Sequence, residues 1–256
     1  MSPGFPAGSR ARARSPSVRP SLDVERALWR DGHRWVAGID EVGRGAWAGP
    51  LSVGVAVVYA GCPTRSIPRW LRDSKLLTEA RREAVHGSVA RWCADGAVGH
   101  ATPAECDRWG MTVAWRLAAR RALAILEVVP DALVIDGPYD LLRERGVRGA
   151  PADDERTACD PIGPHAGPGA SDVPVPATVL TLVGGDARCA AVAAASILAK
   201  VARDRIMRDE AVHFPPYGFD RNKGYPSIRH QIALRGYGLS SIHRRSWTYV
   251  AGLPWH

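Results

Sequence analysis

Two apolar runs on either side of a glycine-rich turn constrain the fold of this 256-residue chain more than any other feature. Residues 35–39 and 51–59 are rich in valine and are bounded by glycines, which predicts two β-strands. The turn between them, residues 43–50, brings the two strands side by side. The pattern therefore predicts a β-hairpin.

Helical patterns follow the hairpin. Thr78 can cap a helix whose apolar face holds Val85 and Val89 at helical spacing. Residues 102–105 read Thr-Pro-Ala-Glu, which places a capping residue, a proline and a glutamate where a helix start needs them. A further helix is predicted at about residues 111–128.

The second half of the chain alternates strand and helix patterns. Residues 132–135 and 178–183 are predicted strands, and an alanine-rich helix is predicted to follow Asp186 and run to Glu210. Strands that alternate with helices indicate an α/β domain. We expect a basic, disordered extension over residues 1–30, which acts either as a solvated tail or as a DNA-binding arm.

The folded part is expected to be one domain over residues 31–253. Residues 147–177 are dense in glycine, proline, alanine and aspartate, and we interpret them as an irregular surface insertion. Five cysteines without any CxxC pair argue against a disulfide framework or a structural zinc site. We expect buried, reduced thiols in a soluble, cytoplasmic protein, because no apolar run is long enough to span a membrane.

Charge points to a polyanionic partner. The formal net charge is +8 and the isoelectric point is about 9.7. Lysine and arginine near phosphates release counterions and so provide affinity that is independent of sequence. This balance favours nucleic acid, and nothing in it favours a membrane.

Four acids stand where the chain leaves or enters a buried element: Asp40, Glu41, Asp136 and Asp186. The ends of strands are where α/β sheets place their sites. Carboxylates without a matching set of histidines or cysteines suit hard cations such as Mg²⁺ or Mn²⁺. The alternative for any single aspartate is that it caps a turn or pairs with a nearby arginine.

A long motif overlaps two of these acids. Residues 40–50 read DEVGRGAWAGP, and this run resembles the signature of type 2 ribonucleases H, the ribonuclease HII family. Other segments match the family in the same order and extend the resemblance over about residues 35–248. These segments are Asp73-Ser74-Lys75, Ile135-Asp136-Gly137, Gly185-Asp186, residues 194–201 with Arg203-Asp204, Lys223-Gly224-Tyr225, and His243-Arg244 with Ser246-Trp247.

The resemblance implies a ribonuclease H-like fold, with a central mixed sheet flanked by helices and a helical C-terminal part. It implies that Asp40, Glu41, Asp136 and Asp186 bind Mg²⁺ or Mn²⁺. It also implies five substrate-binding residues. Gly43, Arg44 and Gly45 would contact the 2′-hydroxyl of a ribonucleotide through the main chain, Tyr225 would pack on its sugar, and Lys75 would contact phosphate.

The fourth acid is a choice between Asp186 and Asp204, which also lies in a matching segment. Asp204 stands between Lys200 and Arg208 at helical spacing, which favours a surface or hinge ion pair. Asp186 follows two glycines at a helix start, so we assign the metal role to Asp186.

The chain also departs from the family pattern: Gly185 stands where a lysine is usual, Asn222 where a histidine is common, and Pro226-Ser227 where Gly-Thr is usual.

The implied activity is hydrolysis of the phosphodiester 5′ of a ribonucleotide, in RNA/DNA hybrids or at single ribonucleotides in duplex DNA, by a monomer. The alternatives are a type 3 ribonuclease H, a DNA-cutting resolvase, and a hybrid-binding protein without turnover.

His230 and His243 have no ligand spacing and are interpreted as core or solvated histidines. Trp47 is a candidate for the groove, and Arg244-Arg245 is either a phosphate contact or ordinary surface.

Overall fold

One mixed sheet forms the centre of the protein. The computed structural model describes residues 19–61, 67–68, 71, 77–143 and 173–253. The strands follow the order β3-β2-β1-β4-β5, with β1 antiparallel to β2, β2 antiparallel to β3, and β4 and β5 parallel to β1. Their bounds are β1 (Trp35–Val42), β2 (Leu51–Tyr59), β3 (Asp95–Ala101), β4 (Ala132–Asp136) and β5 (Thr178–Leu182). The predicted hairpin is β1–β2, in which Trp35 faces Tyr59.

Helices cover both faces of the sheet and build the C-terminal part, as the resemblance implied. Their bounds are α1 (Asp23–Arg30), α2 (Glu79–Trp92), α3 (Pro103–Ile125), α4 (Ala190–His213), α5 (Phe219–Asn222) and α6 (Ile228–Tyr237). Ala37 and Ile39 belong to the core under α3, whereas Val36 packs with α4 residues on the other face. Because both faces of β1 and β2 are buried, these strands read as continuous apolar runs rather than as alternating ones. Among the helices described, none combines the length and apolar character needed to cross a bilayer.

Helix α4 lies unusually close to the sheet. A Cβ atom added to Gly38 would lie 2.2 Å from the main chain of α4 at Ala191, and one added to Gly54 would lie 2.3 Å from the carbonyl oxygen of Ala195. Glycine in the strands and alanine in the helix together permit this approach. The packing fixes the N-terminal end of α4 against β1, and only Ala187, Arg188 and Cys189 separate this end from Asp186.

The domain boundaries predicted from composition need correction. Helix α1 lies within the stretch expected to be disordered, and its Leu28 and Glu25 are buried against the domain. Val173 and Val175, at the end of the expected insertion, pack on the core as well. Residues 1–18 and 144–172 lie outside the described residues, so the remainder of both predictions stays a prediction.

Candidate active site

Three of the four predicted acids meet at one end of the sheet. Asp40, Asp136 and Asp186 each offer a carboxylate oxygen, and these three atoms lie within 4.8 Å of one another. Asp40 belongs to β1 and Asp136 ends the parallel neighbour β4, where Ile39 and Ile135 are paired. Asp186 lies in the short 3₁₀ turn that precedes α4. Parallel pairing therefore brings residues distant in sequence to one point.

The cluster is electrostatically unfavourable without a cation. Burial, together with the charges of Glu41, Asp136 and Asp186 and against a lowering hydrogen bond with Ser196, raises the pKa of Asp40 to about 8. Such carboxylates either share protons or bind a cation. All donors are oxygens, which fits Mg²⁺ or Mn²⁺ and does not fit a zinc centre.

Main-chain donors orient two of the aspartates. The N–H of Glu41 donates to Asp40 Oδ1 at 2.8 Å, and the N–H of Gly185 donates to Asp136 Oδ1 at 2.8 Å. A Cβ atom at Gly185 would lie 3.2 Å from Val192 Cγ1, which is tighter than ordinary contact. Gly185, which stands where a lysine is usual, therefore fits this close turn and donates its main-chain N–H to Asp136.

Glu41 lies beside the cluster rather than in it. Its Oε2 accepts a hydrogen bond from Trp115 Nε1 at 3.2 Å, and its Oε1 is 3.6 Å from Arg44 Nη1. It is not among the carboxylates that lie within 4.8 Å of one another. Its side chain is thus held next to the three aspartates by a buried tryptophan and an exposed arginine.

Asp204 has a different environment from the cluster. Its carboxylate is paired with Lys200 Nζ at 2.5 Å and with Arg82 Nη2 at 3.2 Å. The expected partner Arg208 instead pairs with Glu79 and Glu83. Asp204 is 1% exposed, so the expectation of a surface ion pair was wrong about its burial. The ion pairs with α2 and within α4 account for this acid.

The two segments predicted to bind substrate are neighbours. The N–H groups of Trp47 and Ala48 donate to the carbonyl oxygen of Gly224, at 2.8 and 3.3 Å. A Cβ atom at Gly45 would have Tyr225 Cε1 at 4.0 Å. Gly45 is exposed and available to a ligand. Lys75 lies outside the described residues, so its role stays a prediction.

Asn222, which stands where a histidine is common, shapes the second segment. Its Oδ1 accepts from Gly224 N at 2.8 Å and its amide donates to Tyr217 O at 2.6 Å. Gly224 has a positive φ of 82°, and a Cβ atom there would lie 2.2 Å from Ala48 O. The side chain of Ser227 caps α6 by accepting from His230 N. Both departures from the family pattern therefore have local structural roles.

Sequence reasoning missed two buried arginines, Arg203 and Arg244, that hold the glycine-rich turn. Arg244 was expected to be a phosphate contact or a surface residue, but its side chain is fully buried and donates to carbonyl oxygens. His230 and His243 are buried core residues with their Nε2 atoms 2.9 Å apart. Trp47 stacks on Tyr249 with ring centroids 4.1 Å apart. Motif matches pointed to the segments around the arginines, but no pattern in the sequence indicated their burial.

Comparison with known proteins agrees with this geometry. The family model described as Ribonuclease HII matches residues 37–147 and 164–250. A ribonuclease HII of Streptomyces coelicolor is 42% identical over 240 residues, which cover 93% of this chain and 88% of the relative. One from Thermus thermophilus is 40% identical over 231 residues, which cover 90% of this chain and 94% of the relative.

Solved structures show the same fold. The ribonuclease H2 of Pyrococcus horikoshii superimposes with a TM-score of 0.62 at 27% identity, over 85% of this chain and 96% of its own. A Bst ribonuclease HIII, solved in complex with Mn²⁺, has a TM-score of 0.60 at 22% identity, over 85% of this chain and 68% of its own. The extent and identity of the sequence matches show that this chain belongs to the ribonuclease HII family and is a metal-dependent hydrolytic ribonuclease.

Proposed function

We propose that this protein hydrolyses the phosphodiester on the 5′ side of a ribonucleotide, both in RNA/DNA hybrids and at single ribonucleotides within duplex DNA. The products would carry 3′-hydroxyl and 5′-phosphate ends. The observation that supports this most is the position of the aspartate cluster. Its member Asp40 lies on β1, the strand that leads directly into the glycine-rich turn, whose exposed Gly45 faces Tyr225.

Asp40, Asp136 and Asp186 would hold the divalent ions, with Glu41 completing the set from its position beside them. Two such ions, Mg²⁺ or Mn²⁺, would supply an activated water and neutralise the leaving oxygen in an in-line displacement. The carboxylates would act on the scissile phosphate only through the ions that they hold, because the cluster repels an anion until its charge is neutralised.

Recognition of the ribose is assigned to Gly43, Arg44, Gly45 and Tyr225. The 2′-hydroxyl is the group that distinguishes RNA from DNA, and glycines permit the main chain to approach it closely. Hydrolysis at the 5′ phosphate does not use this hydroxyl as a nucleophile, since the hydroxyl adjoins the 3′ phosphate. Lys75 is proposed to contact phosphate. That the chain acts as a cytoplasmic monomer stays a prediction from the sequence.

The test is end-mapped cleavage of a duplex that carries one ribonucleotide, in Mg²⁺ or Mn²⁺, beside an identical all-DNA duplex. We expect one cut 5′ of the ribonucleotide and an intact control. Asp136→Asn should lower the rate about a hundredfold or more, because it removes one of the carboxylates that would hold the divalent ions. Asp209→Asn, at an exposed position of α4, should retain the activity of the wild-type protein. Equal cutting of both duplexes would disprove the substrate assignment.

A further inference from the structure

Arg244 holds the first part of the glycine-rich turn, defined here as residues 43–50. Its guanidinium is fully buried. It donates to Gly43 O at 2.7 Å, to Arg44 O at 3.0 Å and to Gly49 O at 3.1 Å. One side chain thus closes the turn by joining its beginning to its end.

Arg203 of α4 holds the second part of the turn and links it to the segment that carries Tyr225. It donates to Pro50 O at 2.8 Å, to Ala48 O at 3.1 Å and to Lys223 O at 2.8 Å. Its guanidinium carbon also lies 5.6 Å from the centre of the Tyr225 ring, within the range of a cation–π contact. Arg203 therefore contacts both segments proposed to recognise the ribonucleotide.

The chemistry of these contacts is specific to arginine. Among the described residues, neither guanidinium forms an ion pair with a carboxylate. All the oxygen atoms that accept hydrogen bonds from Arg203 and Arg244 are main-chain carbonyls. A buried charge without a carboxylate partner is costly unless hydrogen bonds offset its desolvation, and here main-chain carbonyls supply those bonds. A planar fork of donors can join several carbonyls at once, which a lysine ammonium cannot do in the same geometry.

We propose that Arg203 and Arg244 are positioning residues for ribonucleotide recognition, which hold the glycine-rich turn and Tyr225 in the binding shape before substrate arrives. This proposal rests on the proposed function. The carbonyls that the two guanidiniums bind are turned into the protein, so they cannot face the substrate phosphates. Holding the turn in advance removes an ordering cost from binding. The expected consequence is selectivity for the 2′-hydroxyl rather than affinity for duplexes in general.

The test measures binding in EDTA, where no cleavage occurs, to two duplexes that differ in a single 2′-hydroxyl. Arg203→Lys and Arg244→Lys keep the positive charge and remove the fork. Selectivity is the dissociation constant for the all-DNA duplex divided by that for the duplex with the 2′-hydroxyl. We expect this ratio to fall about tenfold in each variant, as loss of an aligned hydrogen bond predicts. Affinity for the all-DNA duplex should stay within about twofold of wild type, because the net charge is unchanged.

Arg143→Lys is the matched control. Arg143 also donates to two main-chain carbonyls, those of Pro176 and Ala177, but in the segment that leads into β5. It should retain the selectivity of the wild-type protein. If Arg203→Lys and Arg244→Lys are folded by circular dichroism and keep the wild-type ratio, the two arginines serve folding alone and the proposal is overturned.

Amide hydrogen exchange of the wild-type protein decides the question if the variants do not fold. The amides of Trp47, Ala48 and Gly49 donate to Gly224 O and Ile242 O. If the turn is held in advance, they exchange slowly without nucleic acid, whereas exchange within seconds would overturn the proposal. A wild-type selectivity ratio of one would overturn the proposed function instead, and exchange would still report whether the turn is held.

Discussion

Buried histidines link the segment that carries Tyr225 to the C-terminal segment through one directional chain of hydrogen bonds. The N–H of Ser240 donates to His243 Nδ1 at 2.9 Å, so His243 donates from Nε2 to His230 Nε2. His230 then donates from Nδ1 to Tyr225 O at 2.9 Å. This arrangement requires both rings to be neutral, because protonation would place two donors in opposition.

The pair should make the folded protein sensitive to acid. Burial, with the nearby His230 and Arg245, lowers the pKa of His243 to about 3. In the unfolded chain the ordinary pKa is about 6.5. Below that pH the unfolded chain binds a proton that the folded protein does not bind. The free energy of unfolding is therefore highest above pH 6.5 and decreases as the pH falls toward 3. The loss between pH 7 and pH 5 is about 2 kcal/mol.

We expect His243→Gln to remove this part of the pH dependence. Urea unfolding at pH 7 and pH 5 measures it, and the difference between the two free energies of unfolding should be about 2 kcal/mol smaller than in wild type. His213→Gln, at an exposed position, is the control and should leave the difference unchanged. An identical pH dependence in His243→Gln would show that the ring is not held neutral.

At the scale of single residues, the sequence predicts the acids better than the groups that hold them. Asp40 and Asp136 could be found because a carboxylate at the end of an apolar run stands out. Arg203 and Arg244 could not be identified as buried, because arginine is usually exposed and only tertiary contacts with main-chain carbonyls offset its burial. Asp204 shows the same limit, since its partner Arg82 lies on another helix.

At the scale of elements, the approach of α4 to the sheet positions the third aspartate. Gly38→Ala would place its Cβ 2.2 Å from the α4 main chain, where no flexible side chain can move aside. We expect the free energy of unfolding to fall by about 2–3 kcal/mol. Activity should also fall, because displacing α4 moves Asp186 away from Asp40. Denaturant unfolding and cleavage assays on the folded variant measure the two effects.

Gly87→Ala provides the same substitution in α2, where the added Cβ would meet only the end of the Arg91 side chain at 3.4 Å. This variant should gain about 0.5–1 kcal/mol from helix propensity and keep its activity. If Gly38→Ala were as stable and as active as Gly87→Ala, the close packing would not position the site.

The strands and helices that the sequence predicted have the predicted types because local signals agree with the fold, but β3 and α1 were not predicted and the ends of helices were predicted less well. The capping box of α3 forms as predicted between Thr102 and Glu105. The predicted helix over residues 111–128 continues too far, since α3 ends at Ile125. Leu126 and Val128 still pack on the core after the helix has ended. Apolar spacing alone therefore does not show where the helix stops.

At the scale of the whole molecule, the N-terminal segment contacts the residues that follow Asp186, although it is far from them in sequence. Ser21 donates to Arg188 O at 3.1 Å and accepts from Ala190 N at 2.9 Å. Buried Glu25 accepts from Ala191 N at 2.7 Å. Burial raises the pKa of Glu25. These contacts hold the first turn of α4, immediately after Asp186. The sequence did not predict this helix, because the basic composition of the residues before it led us to expect disorder up to residue 30.

Removal of the segment should therefore affect both stability and catalysis. Chains that start at residue 19 and at residue 31 differ only in residues 19–30, so their comparison isolates α1 and its flanks. We expect the shorter chain to lose on the order of 5 kcal/mol of unfolding free energy, because Leu22 and Leu28 leave the core. At a temperature where both chains are folded, the shorter one should also cleave more slowly and bind Mn²⁺ more weakly in calorimetry. Loss of stability with unchanged Mn²⁺ affinity would mean that α1 supports the core without holding the turn of Asp186.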